Sequence, residues 1–158
     1  GLNKPKDHYF KNGQWCNSLA CYIQWLDIKQ ADANLLSYPL GIVNKTEDIL
    51  KDLQYYEVKI PDQGTPAMTY SIFTLLYSKL KNPVKATRTL RVIRSIFKEA
   101  LWSICLEKGG SNPYFLTGAG GVLQSVIFGY GGYNIGDQGV YFTNNSIPSE
   151  WKKLTIKT

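Results

Sequence analysis

TPAMTYSIFTLLYSKLKNPVKATRTLRVIRSIFKEAL, residues 65–101, decides the fold. Thr65 reads as a helix N-cap with Pro66 at the first helical position, where an absent N–H leaves no bond unmade. Met68, Ile72, Leu75, Leu76 and Leu80 then recur at helical spacing along one stripe. Asn82-Pro83 breaks the chain and restarts it. The second helix turns Ala86, Leu90, Ile93, Phe97 and Leu101 inward and Lys85, Arg88, Arg91, Arg94 and Lys98 outward. That basic row carries no interleaved aromatic to stack a base, so it reads as a solvated face rather than a nucleic-acid contact.

The same texture continues upstream. Trp15 to Leu36 is apolar and mostly helical in pattern, with Leu19, Tyr22, Ile23 and Leu26 on one face, and Pro39 and Gly41 stop it. Thr46 is a plausible N-cap, with Glu47 and Asp48 favourable to the dipole of a helix that buries Ile49, Leu50, Leu53 and Tyr56. Pro61-Asp62-Gln63-Gly64 is a turn. Downstream of Glu107 glycines accumulate. Val122 to Phe128 still makes a short helix, and Asn134 to Phe142 reads as a hairpin around Gly136-Asp137-Gln138-Gly139. Trp151 to Lys157 reads as one more strand. The expected class is mainly α: four or five helices, then a small β segment.

The 158 residues carry 18 Lys and Arg against 12 Asp and Glu, a net charge of +6. Charged residues make up only 19%, below the roughly 25% of typical soluble domains, while aromatics reach 13%. Such a surface faces either another polypeptide or a flat, stackable polar ligand such as a sugar. Disorder, collagen and coiled coil are excluded. The longest apolar run, Tyr70 to Tyr77, is far too short to span a bilayer. No signal peptide is visible, and the chain starts at Gly1 rather than Met, the expectation of a cut or processed piece. Cys16, Cys21 and Cys105 form no disulfide framework, and the Cys16–Cys21 gap does not fit zinc, so no metal or cofactor is expected. Asn44-Lys45-Thr46 and Asn144-Asn145-Ser146 are glycosylation acceptor sequences compatible with a secretory route.

Chemistry must come from few groups. His8 is the only histidine and lies in the polar leader, which excludes most triad chemistry. Thr117-Gly118-Ala119-Gly120-Gly121 fits neither the Walker nor the dinucleotide pattern, since no Gly-Lys-Ser/Thr follows and position 123 is Leu. Close backbone packing at a helix start is its better reading. Lys29, Gln30 and Asp32 interrupt an apolar stretch, where polar groups must be bonded or functional. An ammonium beside a carboxamide can address the vicinal hydroxyls of a sugar. Among carboxylates Glu107 stands out, between an apolar segment and a glycine-rich loop. Glu57, Glu99 and Glu150 compete with it.

Four strings in order carry a resemblance. Asp27 to Leu36 with Tyr38-Pro39-Leu40 resembles the "IKQAD…LL.YPL" segment of glycoside hydrolase family 65. Leu53 to Glu57 followed by Gly64 to Ser71 is similar to its "YYE…GPAMTWS" segment. Asn112 to Gly121, then Leu123-Gln124 and Phe128-Gly129, resembles "NPYFxTGAGGxLQxxxFG". Ile147 to Ile156 resembles the "LPxxWKxLxI" start of its C-terminal β module. The resemblance implies the C-terminal portion of an (α/α)6 catalytic barrel over residues 1–130 and the start of a β module over 131–158.

It further implies an inverting hydrolase of α-linked glucosides such as trehalose. Glu107 would be the base that activates water; Lys29 and Gln30 would hold the glucose in the cleaved subsite. Family phosphorylases place a Ser/His pair for phosphate in the segment equivalent to residues 64–71; here Tyr70 stands where that histidine would be, and also where hydrolases usually carry Trp. Leu106 precedes Glu107 where Ser or Thr is usual. Inversion needs a second carboxylate as acid, and nothing before Lys29 resembles the family's acid-bearing region. A second chain from the same precursor is therefore the expected partner, with an α-glucoside as substrate and neither nucleic acid nor membrane involved. Secreted, lysosomal or vacuolar location fits, with the cytoplasm as the other option. A non-catalytic structural, storage or sugar-binding remnant of the same fold is the alternative.

Overall fold

The computed structural model describes residues 10–11, 14–15, 30–60, 67–96, 116–145 and 147–157. Two compact units form, Gly1–Asp62 and Gln63–Thr158.

In the first unit, β1 (Phe10–Lys11) pairs antiparallel with β2 (Gln14–Trp15), Phe10 opposite Trp15. Trp15 thus stands in a strand where the periodicity starts a mostly helical segment; residues 16–29 of that segment lie outside the described residues. Helix α1 is short (Asp32–Leu35) and packs on α2 (Thr46–Glu57). The cap of α2 is Lys45 rather than Thr46. Its extended backbone (φ −78°, ψ 127°) offers its carbonyl to the N–H groups of Asp48 and Ile49 at 3.1 and 3.0 Å. Leu53 and Tyr56 are buried as expected, and Asp52 is buried with them, while Ile49 and Leu50 are only half-buried. Gly41 closes the turn before α2 at φ +64°, a left-handed value that favours glycine.

In the second unit, α3 (Ala67–Lys79) is buried nearly all round, Ser71 to Ser78 without interruption. The expected stripe of Ile72, Leu75 and Leu76 is there, but the opposite face is covered too. Small hydroxyl residues make that possible because their polar atoms bond locally. The hydroxyls of Thr74 on α3 and Thr89 on α4 (Pro83–Ile96) lie 2.7 Å apart. Each also reaches a carbonyl of its own helix, at 2.8 Å (Tyr70) and 3.0 Å (Ala86). Asn82 Oδ1 accepts the Lys85 N–H at 3.1 Å and caps α4, with Pro83 at its first position. Ala86 and Ile93 face inward, and Arg88 and Arg91 face solvent, as their spacing predicts.

Helix α5 (Leu116–Gln124) starts earlier than expected and runs into a π-helical turn, Ser125–Tyr130. β3 (Tyr133–Gly136) and β4 (Gly139–Phe142) then form the expected hairpin, with Tyr133 opposite Phe142 and Ile135 opposite Val140. Trp151 to Lys157 forms no strand. It is held by side chains instead, Trp151 against Tyr130 with ring centres 5.2 Å apart and Ile156 against Gly131.

A polar relay fastens the hairpin to α3. The Lys79 ammonium donates to Asn134 Oδ1. Asn134 Nδ2 donates to the Gly132 carbonyl at 2.8 Å and reaches Thr143 Oγ1 at 3.2 Å. Asn145 accepts from Thr143 at 3.0 Å and donates to the Gly129 carbonyl at 2.5 Å. Burial lowers the pKa of Lys79 from its ordinary 10.5. Between the lowered value and 10.5 the unfolded chain binds more protons at this site than the folded one, so this site's contribution to stability rises with pH across that window and is least favourable below it. The melting temperature of wild type relative to Lys79→Met should therefore increase on going from neutral pH towards 10.5. A pH-independent difference in paired melts would show that the ammonium is not desolvated.

Candidate active site

Of the three residues nominated by the sequence, one falls in the described structure. Lys29 and Glu107 lie outside the described residues, as do Glu99, His8 and all three cysteines. Gln30 is exposed, two residues ahead of α1, whose first turn carries exposed Asp32. Its neighbour Ala31 is 1% exposed and gives its carbonyl to Leu35 N–H at 3.1 Å. This anchor keeps Gln30 at the surface of its unit, where a ligand can reach it.

The turn after α1 adds polar groups of its own. Tyr38 donates its N–H to the Asn34 carbonyl at 3.2 Å, and burial pushes its phenol pKa above the usual value. Asn34 is 1% exposed, and among the described residues neither atom of its side-chain amide has a hydrogen-bond partner. Sequence reasoning did not single out Asn34. Its only signal is an amide inside a run of small and apolar residues.

The competing carboxylates sit differently. Glu57 is half-buried at the C-terminal end of α2, where the helix dipole disfavours negative charge. Glu150 is exposed and pairs with Arg91 at 3.5 Å. Its own backbone N–H, then Arg91, hold its carboxyl below the usual range. A carboxylate kept ionised at the surface in this way lacks the shelter of a tuned catalytic base.

In the second unit two separately quoted motifs meet. A Cβ placed on Gly121, in the Thr117–Gly121 string, would fall 2.8 Å from both Cβ and Oγ of Ser71, which ends the Gly64–Ser71 string. Ser71 Oγ is turned into its own helix and donates to the Ala67 carbonyl at 2.8 Å. Ser125, a residue sequence reasoning missed, completes the crossing: its hydroxyl lies 2.8 Å from the Ser71 carbonyl and 2.9 Å from that of Gly121. One turn on, a Cβ on Gly129 would be 3.1 Å from Leu75 Cα. Helix α3 thus packs closely on Gly121 of α5, the close packing expected of the glycine string, and on Gly129 of the π-helical turn. Gly120, by contrast, faces open space.

Asn44 and Asn144, the two acceptor asparagines, are exposed. Among the described residues no three His, Cys, Asp or Glu side chains gather as a metal would require, and no helix is long and apolar enough to cross a membrane.

No family model matches the chain. Individual relatives do. The chain is 47% identical over 130 residues to a kojibiose hydrolase of Mucilaginibacter mallensis, covering 82% of this chain and 19% of that protein. It is 34% identical over 150 residues to a cell wall acid trehalase of Arthroderma benhamiae, covering 83% of this chain and 14% of the relative. A solved structure described as a kojibiose phosphorylase from the human microbiome superposes with a TM-score of 0.58 at 17% identity, over 76% of this chain and 16% of that one. The chain thus spans about a fifth of the length of the kojibiose hydrolase it matches. Its helices are the C-terminal part of an (α/α)6 barrel, followed by a small β segment, and the chain belongs to glycoside hydrolase family 65.

Proposed function

We propose that this chain is part of an inverting glycoside hydrolase of α-linked glucosides, and that it supplies the general base and part of the glucose subsite. Glu107 takes a proton from water as the water attacks the anomeric carbon. A carboxylic acid outside this chain protonates the departing oxygen, at the roughly 6.5–9.5 Å separation that leaves room for the water. Lys29 donates to, and Gln30 both donates to and accepts from, the hydroxyls of the bound glucose. Kojibiose comes ahead of trehalose as substrate, since the hydrolase named for it is the more similar relative. Residues 131–158 begin the β module. A second chain cut from the same precursor carries the acid; the exposed Ile135, Val140 and Phe142 on one face of the hairpin favour such a covering partner. Export from the cell accords with a relative assigned to the cell wall.

One observation favours water over phosphate as the attacking species. Ser71 occupies the segment in which family phosphorylases hold phosphate, yet its hydroxyl is buried and committed to the Ala67 carbonyl. The test is to follow kojibiose and trehalose by NMR with the complete protein, with and without inorganic phosphate. Phosphate-independent release of glucose, the β-anomer appearing first, is expected. Glucose 1-phosphate formation would overturn the hydrolytic assignment, and no turnover of any α-diglucoside would favour a non-catalytic remnant.

Gln30→Ala should lower kcat/KM for the diglucoside about thirtyfold, the value of two hydrogen bonds at roughly 1 kcal/mol each made at an accessible site. Unchanged steady-state kinetics would remove Gln30 from the subsite.

A further inference from the structure

A groove of about 880 Å³ runs in the second unit between α4 and residues 147–149. The function proposed above does not use it. Its apolar lining comes from Val84, Val92 and Ile147, and Val84 is 78% exposed in the first turn of α4. Arg88 and Arg91 stand along it one helical turn apart. Arg91 already holds a carboxylate, that of Glu150, at 3.5 Å. Arg88 is exposed and has no such acid among the described residues.

We propose that this groove docks an acidic peptide segment of another polypeptide, apolar side chains against Val84 and Ile147 and a carboxylate on Arg88. The Glu150–Arg91 pair is the groove's own precedent for that contact. A guanidinium takes a carboxylate through two parallel N–H bonds, which is why Arg rather than Lys suits the position. Other occupants fit less well. Among the described residues, no aromatic side chain lines the groove to stack on a base or a pyranose ring. A lone inorganic anion would leave the apolar lining wet, and the volume is that of sites which bury drug-sized ligands. Among the described residues, Arg88 and Arg91 against the one carboxylate of Glu150 leave a local positive excess that steers an acidic chain to this face.

The probe is a fluorescein-labelled peptide, acetyl-Val-Glu-Leu-Glu-Val-Glu-amide, titrated against the complete protein by anisotropy. Its glutamine counterpart, heparin and inorganic sulfate serve as competitors. Saturable binding is expected, weakened at least tenfold by glutamine for glutamate, and at least tenfold in Arg88→Glu. Arg88→Lys should recover only part of the loss. Val84→Glu should weaken binding without lowering the melting temperature, because Val84 supports no core. Glycosidase turnover should be the same in all three variants. Absence of binding at millimolar peptide overturns the proposal, as does binding indifferent to Arg88→Glu. So does equal displacement by heparin or sulfate, which would mark a general polyanion surface rather than a peptide groove.

Discussion

Glu107→Gln in the complete protein should cut diglucoside hydrolysis by about 10²–10⁴-fold, the contribution of one well-placed acid–base group. The amide keeps the size and hydrogen-bonding reach of the carboxylate but cannot take the proton from water. KM for the sugar should hardly move, since the proposed subsite positions the sugar through Lys29 and Gln30 and not through Glu107. The discriminating measurement is azide rescue. A small anionic nucleophile that needs no deprotonation should restore turnover in Glu107→Gln and give the β-glycosyl azide, whereas the same anion should do nothing for Gln30→Ala. Near-wild-type hydrolysis in the glutamine variant would move the base to another carboxylate. Glu99 is then the next to be changed; Glu150 is already committed to Arg91 at the surface.

How much of this was legible beforehand depends on which physical signal each segment carries. Helix α4 was readable to within its first residue, because Asn82 and Pro83 are a cap and a first-turn residue wherever they occur, and its two faces differ sharply. The β3–β4 hairpin was equally plain, since glycines at both ends of a two-residue loop leave few alternatives. Helix α3 was legible by its apolar stripe, which says nothing of the opposite face. Thr69, Ser71, Thr74 and Ser78 are buried there too, and the hydroxyls of Ser71 and Thr74 satisfy themselves on backbone carbonyls of their own helix. The start of α5 was missed. Three glycines in its first six residues argue against a helix on propensity, and the packing of Gly121 on Ser71 overrides that preference. The 151–157 segment failed because a strand needs a bonded neighbour, and alternation cannot say whether one is present. For the site, residue chemistry nominated Lys29, Gln30 and Glu107, but only the family resemblance gave them roles.

The α3–α5 crossing supplies the largest expected effect on stability. Gly121→Val should cost the second unit about 3 kcal/mol, the upper end of ordinary overpacking. The Cβ alone would stand 2.8 Å from the Ser71 side chain, and neither helix can yield without disturbing the Ser125 hydroxyl that bonds to both. The adjacent position is the control. Gly120→Ala meets nothing within 4 Å and removes unfolded-chain entropy, so it should raise stability by roughly 0.5–1 kcal/mol. Opposite signs at neighbouring residues of one helix separate steric conflict from propensity. Clearing Ser71 should recover part of the damage: Ser71→Gly destabilises alone, through the lost bond to Ala67 and the helix penalty of glycine, but with Gly121→Val it should be less harmful than the sum of the two. Urea unfolding of the four proteins in the cycle measures that coupling, and strict additivity would mean that α3 and α5 do not pack through Ser71 and Gly121.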